Sequence, residues 1–121
     1  MLRVLGRPGD RATRIENRIG EPLANPYLYI ASQIHAGLDG LHRRLPAPPA
    51  AESVYAEGAH EVLPTGLGEA LSAFEADPVL TSAFGAPLVH LLGSVKRQEL
   101  ARFEAASDRD AWQRQEYFAR Y

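Results

Sequence analysis

Polar and apolar residues alternate with a period of two through residues 13–20, TRIENRIG, where Arg14, Glu16 and Arg18 take every second position and Ile15, Asn17 and Ile19 fall between them. Successive side chains of a β-strand point to opposite faces. The pattern therefore predicts a strand with three charged side chains on one face and two isoleucines anchoring the other in a core. Upstream, MLRVL reads as a second strand. The arginine spacing of residues 3–18 also mimics a helix face, but Gly6, Pro8 and Gly9 break any such helix and read instead as a turn. The two strands are expected to pair as a hairpin, with Arg3 reaching the face of Arg14 and Arg18.

From Asn25 the period lengthens to that of a helix. Asn25 can cap the first exposed amides, and Pro26 at the first helical position loses no needed donor. Tyr27, Ile30, Ala31, Ile34, Leu38, Leu41 and Leu45 recur at steps of three and four, while Arg43 and Arg44 suit the negative end of the dipole. A helix over residues 25–45 follows, closed by Pro46. Gly37 and Gly40 each cost up to about 1 kcal/mol relative to alanine, which points to close packing of a neighbouring backbone or to early fraying. Residues 46–62 carry three prolines and no sustained period, and read as a loop.

The remainder, residues 63–121, reads as a helical tail. Thr65 opens a helix with Leu67, Ala70, Leu71 and Phe74, and Asp77 followed by Pro78 caps a shorter one that ends near Gly85. After Pro87 a longer helix places Leu88, Leu91, Leu92, Val95, Leu100 and Phe103 mostly on one side. Lys96, Arg97, Glu99, Arg102 and Glu104 dominate the other. Ser107, with Asp110 three residues on, resembles a capping box and starts a last helix with Trp112, Tyr117 and Phe118. The expected fold class is α+β: an N-terminal β-hairpin over residues 1–20, then about five helices. Two strands alone are marginal as a sheet, so the hairpin is expected to be part of a larger one.

Composition narrows the partners. With 121 residues the chain accommodates one ordinary domain or part of one. A net charge of -2 gives no global attraction to nucleic acid or to an anionic membrane, and neither is an implied partner. No apolar run approaches the roughly 20 residues needed to span a bilayer. The absence of cysteine removes disulfides and thiolate chemistry, consistent with a cytoplasmic protein. Charge is unevenly placed, however: residues 1–18 hold Arg3, Arg7, Arg11, Arg14 and Arg18 against only Asp10 and Glu16.

Candidate chemistry is sparse outside that segment. His35, Asp39 and His42 share a helix face and can bind a transition metal or simply form a polar surface, and no fourth ligand stands at a recognisable spacing. His90 and Ser94 lie one turn apart without a strained nucleophile or oxyanion site, so a hydrolase triad is rejected. TGLGEAL, residues 65–71, lacks the preceding strand and the lysine of a phosphate-binding loop and reads as a helix start. On the opening strand, a carboxylate flanked by two arginines is either a structural ion pair or a surface for phosphate and metal together. Mg²⁺ takes hard oxygen ligands, and guanidinium binds phosphate through its planar fork. One glutamate cannot hold the ion.

Residues 13–40, TRIENRIGEPLANPYLYIASQIHAGLDG, resemble the C-terminal part of the glutamine synthetase catalytic domain, with its Arg-x-Glu-x-Arg strand, its Ala-Asn-Pro-Tyr-Leu segment and a helix ending in Ala-Gly-Leu-Asp-Gly. The likeness extends more loosely through LPTGLGEALSAFEAD to WQRQEYFARY, which resembles the C-terminus of family members. The resemblance implies an ATP-dependent ligase that phosphorylates the γ-carboxylate of glutamate and lets ammonia or another amine displace the phosphate, with Mg²⁺ or Mn²⁺ as cofactor. By position, Glu16 resembles the family's metal ligand. Arg18 resembles the arginine that binds glutamate and the transferred phosphoryl group, and Arg14 the neighbouring arginine on the nucleotide side. Arg3 resembles a further ATP-contacting arginine, although Leu5 replaces the proline of the family's Arg-x-Pro strand. Arg11 falls where many members carry a basic ATP-binding residue. Tyr55 lies in the loop where some members carry an adenylylated tyrosine, but SVYAEGAH departs from that motif.

The family's catalytic chain is several times longer than this one. The resemblance therefore implies a C-terminal fragment, inactive by itself, with Met1 an internal methionine and a homo-oligomer expected of the full-length protein. The alternative is a non-catalytic helical interaction module derived from such a ligase.

Overall fold

The hairpin forms because its turn is closed from within. The backbone amide of Asp10 donates to the Arg7 carbonyl at 3.0 Å and that of Thr13 to the Asp10 carbonyl at 3.1 Å. The Asp10 carboxylate accepts from the Ala12 amide at 2.8 Å, and the Thr13 hydroxyl donates back to the Arg7 carbonyl at 3.0 Å. Gly6 sits at a φ of 103°, and a Cβ added there would lie 2.5 Å from the Thr13 Cα, so only glycine lets the two arms approach. This turn pairs β1 (Leu2–Leu5) antiparallel to β2 (Arg14–Asn17), with Leu2 opposite Asn17, Arg3 opposite Glu16, Val4 opposite Ile15 and Leu5 opposite Arg14.

The computed structural model describes residues 2–50 and 62–120. Tyr55 and His60 lie outside the described residues. The chain divides into two compact units, Met1–Ser32 and Gln33–Tyr121. In the first, β2 ends at Asn17, whose side chain accepts the Ile19 amide at 3.1 Å and turns the chain out of the strand before Arg18 and Ile19 can extend it. The core contact expected for the isoleucines is not met among the described residues: Ile15 is 71% exposed and Ile19 48%, and Val4, opposite Ile15, is 73% exposed.

Helix α1 (Pro26–His42) starts as expected, with the Asn25 side chain accepting the amides of Tyr27 at 3.0 Å and Leu28 at 3.3 Å. It stops three residues short of Leu45. Arg44 takes a φ of 52°, its amide reaches the Leu41 carbonyl at 3.1 Å, and the Leu45 amide reaches the Gly40 carbonyl at 3.0 Å. That is the paired closure glycine usually provides, here made by an arginine held in the left-handed region. Of the two readings of Gly37 and Gly40, close packing of a neighbouring backbone is not met among the described residues, since a Cβ on either would find nothing within 4 Å, while the helix does end early, at His42. The apolar stripe of this helix, Tyr27, Ile30, Ile34, Leu38 and Leu41, is exposed rather than buried.

In the second unit, α2 (Leu67–Ala76), α3 (Pro78–Phe84) and α5 (Arg109–Tyr117) each pack on α4 (Ala86–Ala105), and a short 3-10 turn, Phe118–Arg120, follows. With one hairpin and five α-helices among the described residues, the architecture is α+β. Glu69 closes the start of α2 by accepting the Thr65 amide at 2.8 Å and hydroxyl at 3.0 Å, bonds that hold its carboxyl below the usual range. The helix itself begins at Leu67, two residues later than expected. Asp77 caps α3 through the amides of Val79 at 2.8 Å and Leu80 at 3.0 Å. The cap of α5 is Asp108, which accepts the Ala111 amide at 2.9 Å, and not Ser107. An aspartate directly before the first turn meets the free amides and the positive end of the dipole together.

No hydrophobic side chain among the described residues is buried, and the one buried charged group is Glu99, 8% exposed. It was expected on the solvated side of α4. Its carboxylate instead accepts the Lys96 ammonium at 2.8 Å and the Tyr117 hydroxyl of α5. Beside it Arg102 grips Glu116 through both terminal nitrogens, at 3.1 and 2.8 Å, and lies 5.7 Å over the Trp112 ring. Phe103, Trp112 and Tyr117 stack edge to face at 5.5 and 6.0 Å. Burial raises the Glu99 pKa, but hydrogen bonds from Lys96 and Tyr117 outweigh it and leave the carboxyl below its ordinary value. Burial and the Glu99 carboxylate push the Tyr117 phenol up to about 12.

Two predictions follow from these local geometries. Because the folded pKa of Tyr117 is raised, the stabilisation it brings is complete below about pH 10 and is lost as pH passes about 12. Absorbance titration at the tyrosinate band should show one of the five tyrosines ionising late, and Tyr117→Phe should abolish that component while costing about 1 kcal/mol in urea unfolding. Replacing Arg44 by glycine should relieve the left-handed strain and raise helix stability by about 1 kcal/mol, read as an upward shift of the thermal circular-dichroism midpoint.

Candidate functional site

Residues opposite one another in an antiparallel pair share a face, so the observed register puts Arg3, Leu5, Arg14 and Glu16 on one side of the hairpin and Leu2, Val4, Ile15 and Asn17 on the other. On the polar side, a single oxygen of Glu16 receives two guanidiniums. Arg18 Nη1 lies 3.4 Å from Glu16 Oε2 and Arg3 Nη1 lies 3.7 Å from the same atom. Arg18 reaches it from just past the end of the strand, and Arg3 from directly across. The structure thus brings together three of the five residues singled out in the sequence.

The other two stand apart from the carboxylate. Arg14 donates to the Ala12 carbonyl at 3.1 Å, and among the described residues no ion pair joins Arg14 or Arg11 to Glu16. Arg11 belongs to the turn and Arg14 to the face itself, so neither neutralises Glu16. The face as a whole is cationic, with Arg3, Arg14 and Arg18 against one carboxylate. The side chains of Arg3, Arg18 and Glu16 remain 53%, 47% and 37% exposed. Exposed pairs of this kind contribute about 0–1 kcal/mol, so the cluster does little for the fold and stays open to an anion arriving from solution.

Metal chemistry needs more oxygen ligands than this face offers. Glu16 supplies one carboxylate whose near oxygen is already shared by two arginines, and no group of three His, Cys, Asp or Glu among the described residues is placed to hold an ion. Glu16 fits as one ligand of a shared site and not as a cage. His35, Asp39 and His42 do not form one either: Asp39 pairs with Arg43 at 3.0 Å, and the His35 ring meets Phe84 edge-on at 6.2 Å. His90 lines a shallow groove with Thr81, Ser82 and Val89, beside an ion pair of Glu75 with Arg97 at 2.5 Å. No single helix among the described residues is long and apolar enough to cross a membrane.

On this chain a carboxylate met by two arginines at the end of β2 is followed by an asparagine-capped helix. Residues 1–117 match the family described as glutamine synthetase, catalytic domain, and the chain belongs to that family. It is 46% identical to gamma-glutamylanilide synthase of an Acinetobacter species over 98% of its own length and 25% of that protein's. It is 38% identical to human lengsin over 91% of its length and 22% of that protein's. With glutamine synthetase of Halobacterium salinarum it shares 33% identity over its full length and 28% of the relative's. The chain thus spans about a quarter of the length of these relatives. No solved structure matches it.

The hairpin geometry separates residues that hold the strands from residues that present chemistry. Gly6→Ala should cost on the order of 2 kcal/mol through strain and the Thr13 contact, and erase the cross-strand nuclear Overhauser effects between Val4 and Ile15. Glu16→Gln should leave those signals in place and change stability by less than about 1 kcal/mol.

Proposed function

We propose that this chain forms one wall of the active site of an ATP-dependent ligase that joins ammonia or an amine to the γ-carboxylate of glutamate, and that the chain alone is inactive. The observation that carries the reading is the convergence of Arg3 and Arg18 on Glu16 across a fixed register, in a chain that belongs to the glutamine synthetase family. In the complete enzyme the hairpin of residues 1–20 is two strands of a larger catalytic sheet, and the full-length protein is a homo-oligomer.

In the proposed reaction a γ-carboxylate oxygen of glutamate attacks the terminal phosphorus of ATP and ADP leaves. The amine nitrogen then attacks the acyl carbon, loses a proton, and inorganic phosphate leaves. Mg²⁺ or Mn²⁺, when bound, neutralises charge on the phosphate oxygens, with Glu16 as one of several ligands. Arg18, beside Glu16, would orient the glutamate carboxylate and the migrating phosphoryl group. Arg14 and Arg3 would hold the nucleotide phosphates, with Arg11 at the edge of the turn. Guanidinium forks suit this work because phosphoryl transfer is catalysed chiefly by positioning and by charge placed against the equatorial oxygens. Loss of one such contact costs on the order of 10²-fold in rate. The similarity to gamma-glutamylanilide synthase supports an amine other than ammonia as acceptor.

One carboxylate and a few exposed arginines are too little to retain nucleotide. Titration calorimetry of this chain with ATP and Mg²⁺ should show no binding tighter than about millimolar, whereas micromolar affinity would overturn the claim that the site is partial.

A further inference from the structure

Asn17 is the polar member of an otherwise apolar face, which it shares with Leu2, Val4 and Ile15. β2 ends at this residue, and the ladder ends where it stands opposite Leu2. Its side-chain oxygen accepts the Ile19 amide at 3.1 Å. The ring that this bond closes runs through the backbone of Arg18, so the turn encloses the residue whose guanidinium lies 3.4 Å from Glu16 Oε2. Two residues further on, the chain is backed by α1. A Cβ on Gly20 would lie 3.1 Å from the Tyr29 hydroxyl oxygen and 3.4 Å from the ring carbon Cζ, so the bare backbone of Gly20 rests against that ring.

Arg18 needs such support. It lies past the last residue of the ladder, and its side chain is 47% exposed. A long side chain keeps much of its rotational freedom there, and an exposed ion pair contributes too little to remove it. A turn that fixes the backbone of Arg18, with a ring holding the chain beyond it, sets where the guanidinium starts from. That matters for a cation serving phosphoryl transfer, where a misplacement of about 1 Å costs on the order of 10²-fold in rate.

We propose that Asn17 and Tyr29 are positioning residues for Arg18, Asn17 by enclosing its backbone in a turn closed by a side chain and Tyr29 by holding Gly20. This rests on the proposed function, in which Arg18 orients the glutamate carboxylate and the migrating phosphoryl group. Both residues act through Arg18 and not on the substrate.

The test is side-chain nuclear magnetic resonance on the whole chain. In the wild type, Arg18 Hδ should show a nuclear Overhauser effect to Glu16 Hγ, and the Arg18 Nε–H group should be well ordered. Asn17→Leu, which keeps bulk but lacks the acceptor, and Tyr29→Ala should each erase that effect and lower that order, with the Val4–Ile15 cross-strand effects intact. Asn17→Asp, which keeps the acceptor, and Tyr29→Phe, which keeps the ring, should restore both. Affinity for tripolyphosphate should fall at least about threefold in Asn17→Leu, because a disordered guanidinium must be ordered again on binding.

An Arg18 signal unchanged in Asn17→Leu or in Tyr29→Ala overturns the proposal. So does loss of the Val4–Ile15 effects in the same variants, which would make the two residues holders of the hairpin and not of Arg18, or failure of the conservative variants to restore the signal. Tripolyphosphate separates this proposal from the one beneath it. Arg18 disordered as expected, in a chain whose tripolyphosphate affinity is indifferent to Arg18→Ala, leaves the positioning standing and sinks the proposed role of Arg18. Affinity lost in Arg18→Ala but indifferent to Asn17→Leu does the reverse.

Discussion

The cross-strand register of the hairpin is the constraint on which the rest depends. Gly6 at a φ of 103° brings Thr13 against the opposite arm, the Asp10 and Thr13 side chains tie the turn, and Arg3 is thereby placed opposite Glu16. A slip of one residue would exchange the two faces, sending the arginines to the apolar side and Val4 and Ile15 to the polar one. The chemistry of the site is thus decided in a turn that contributes none of the pair's charges.

The second unit coheres by a different kind of interaction. With no buried hydrophobic side chain among the described residues, α5 is fastened to α4 through Glu99, Tyr117 and the two-pronged contact of Arg102 with Glu116, around the Trp112 ring. A carboxylate tolerates burial when strong donors satisfy it, and Lys96 and Tyr117 do so here. Those bonds require side chains held in place by neighbouring rings, which ties the polar contacts to the aromatic ones.

Apolar surface left open on the hairpin back and on α1 agrees with the chain's share of its relatives. The chain spans about a quarter of the length of the family members it matches. Val4 and Ile15 stand exposed on the back of the hairpin, and Ile34, Leu38 and Leu41 along α1. Their hydrophobicity is that of a core, and only their exposure is unusual.

What the sequence by itself determined was whatever depends on near neighbours. The period of two in TRIENRIG yields β2, Asn25 and Asp77 cap the helices that follow them, and Gly6, Pro8 and Gly9 make the turn, because strand pleat, capping bonds and backbone freedom act over a few residues. The family resemblance singles out Arg3, Arg11, Arg14, Glu16 and Arg18, of which Arg3 and Arg18 lie beside the Glu16 carboxylate. Tertiary structure decided the rest. Arg18 pairs with Glu16 from outside the strand, because Asn17 turns the chain there. Asp108 displaces Ser107 as a cap, and Glu99 leaves the solvated face of α4 for the phenol of Tyr117, eighteen residues away. The stripe of α1 was legible as apolar, but a period of three and four says only which side chains lie together. Whether that side is covered depends on what else is folded against it, and no local pattern records that.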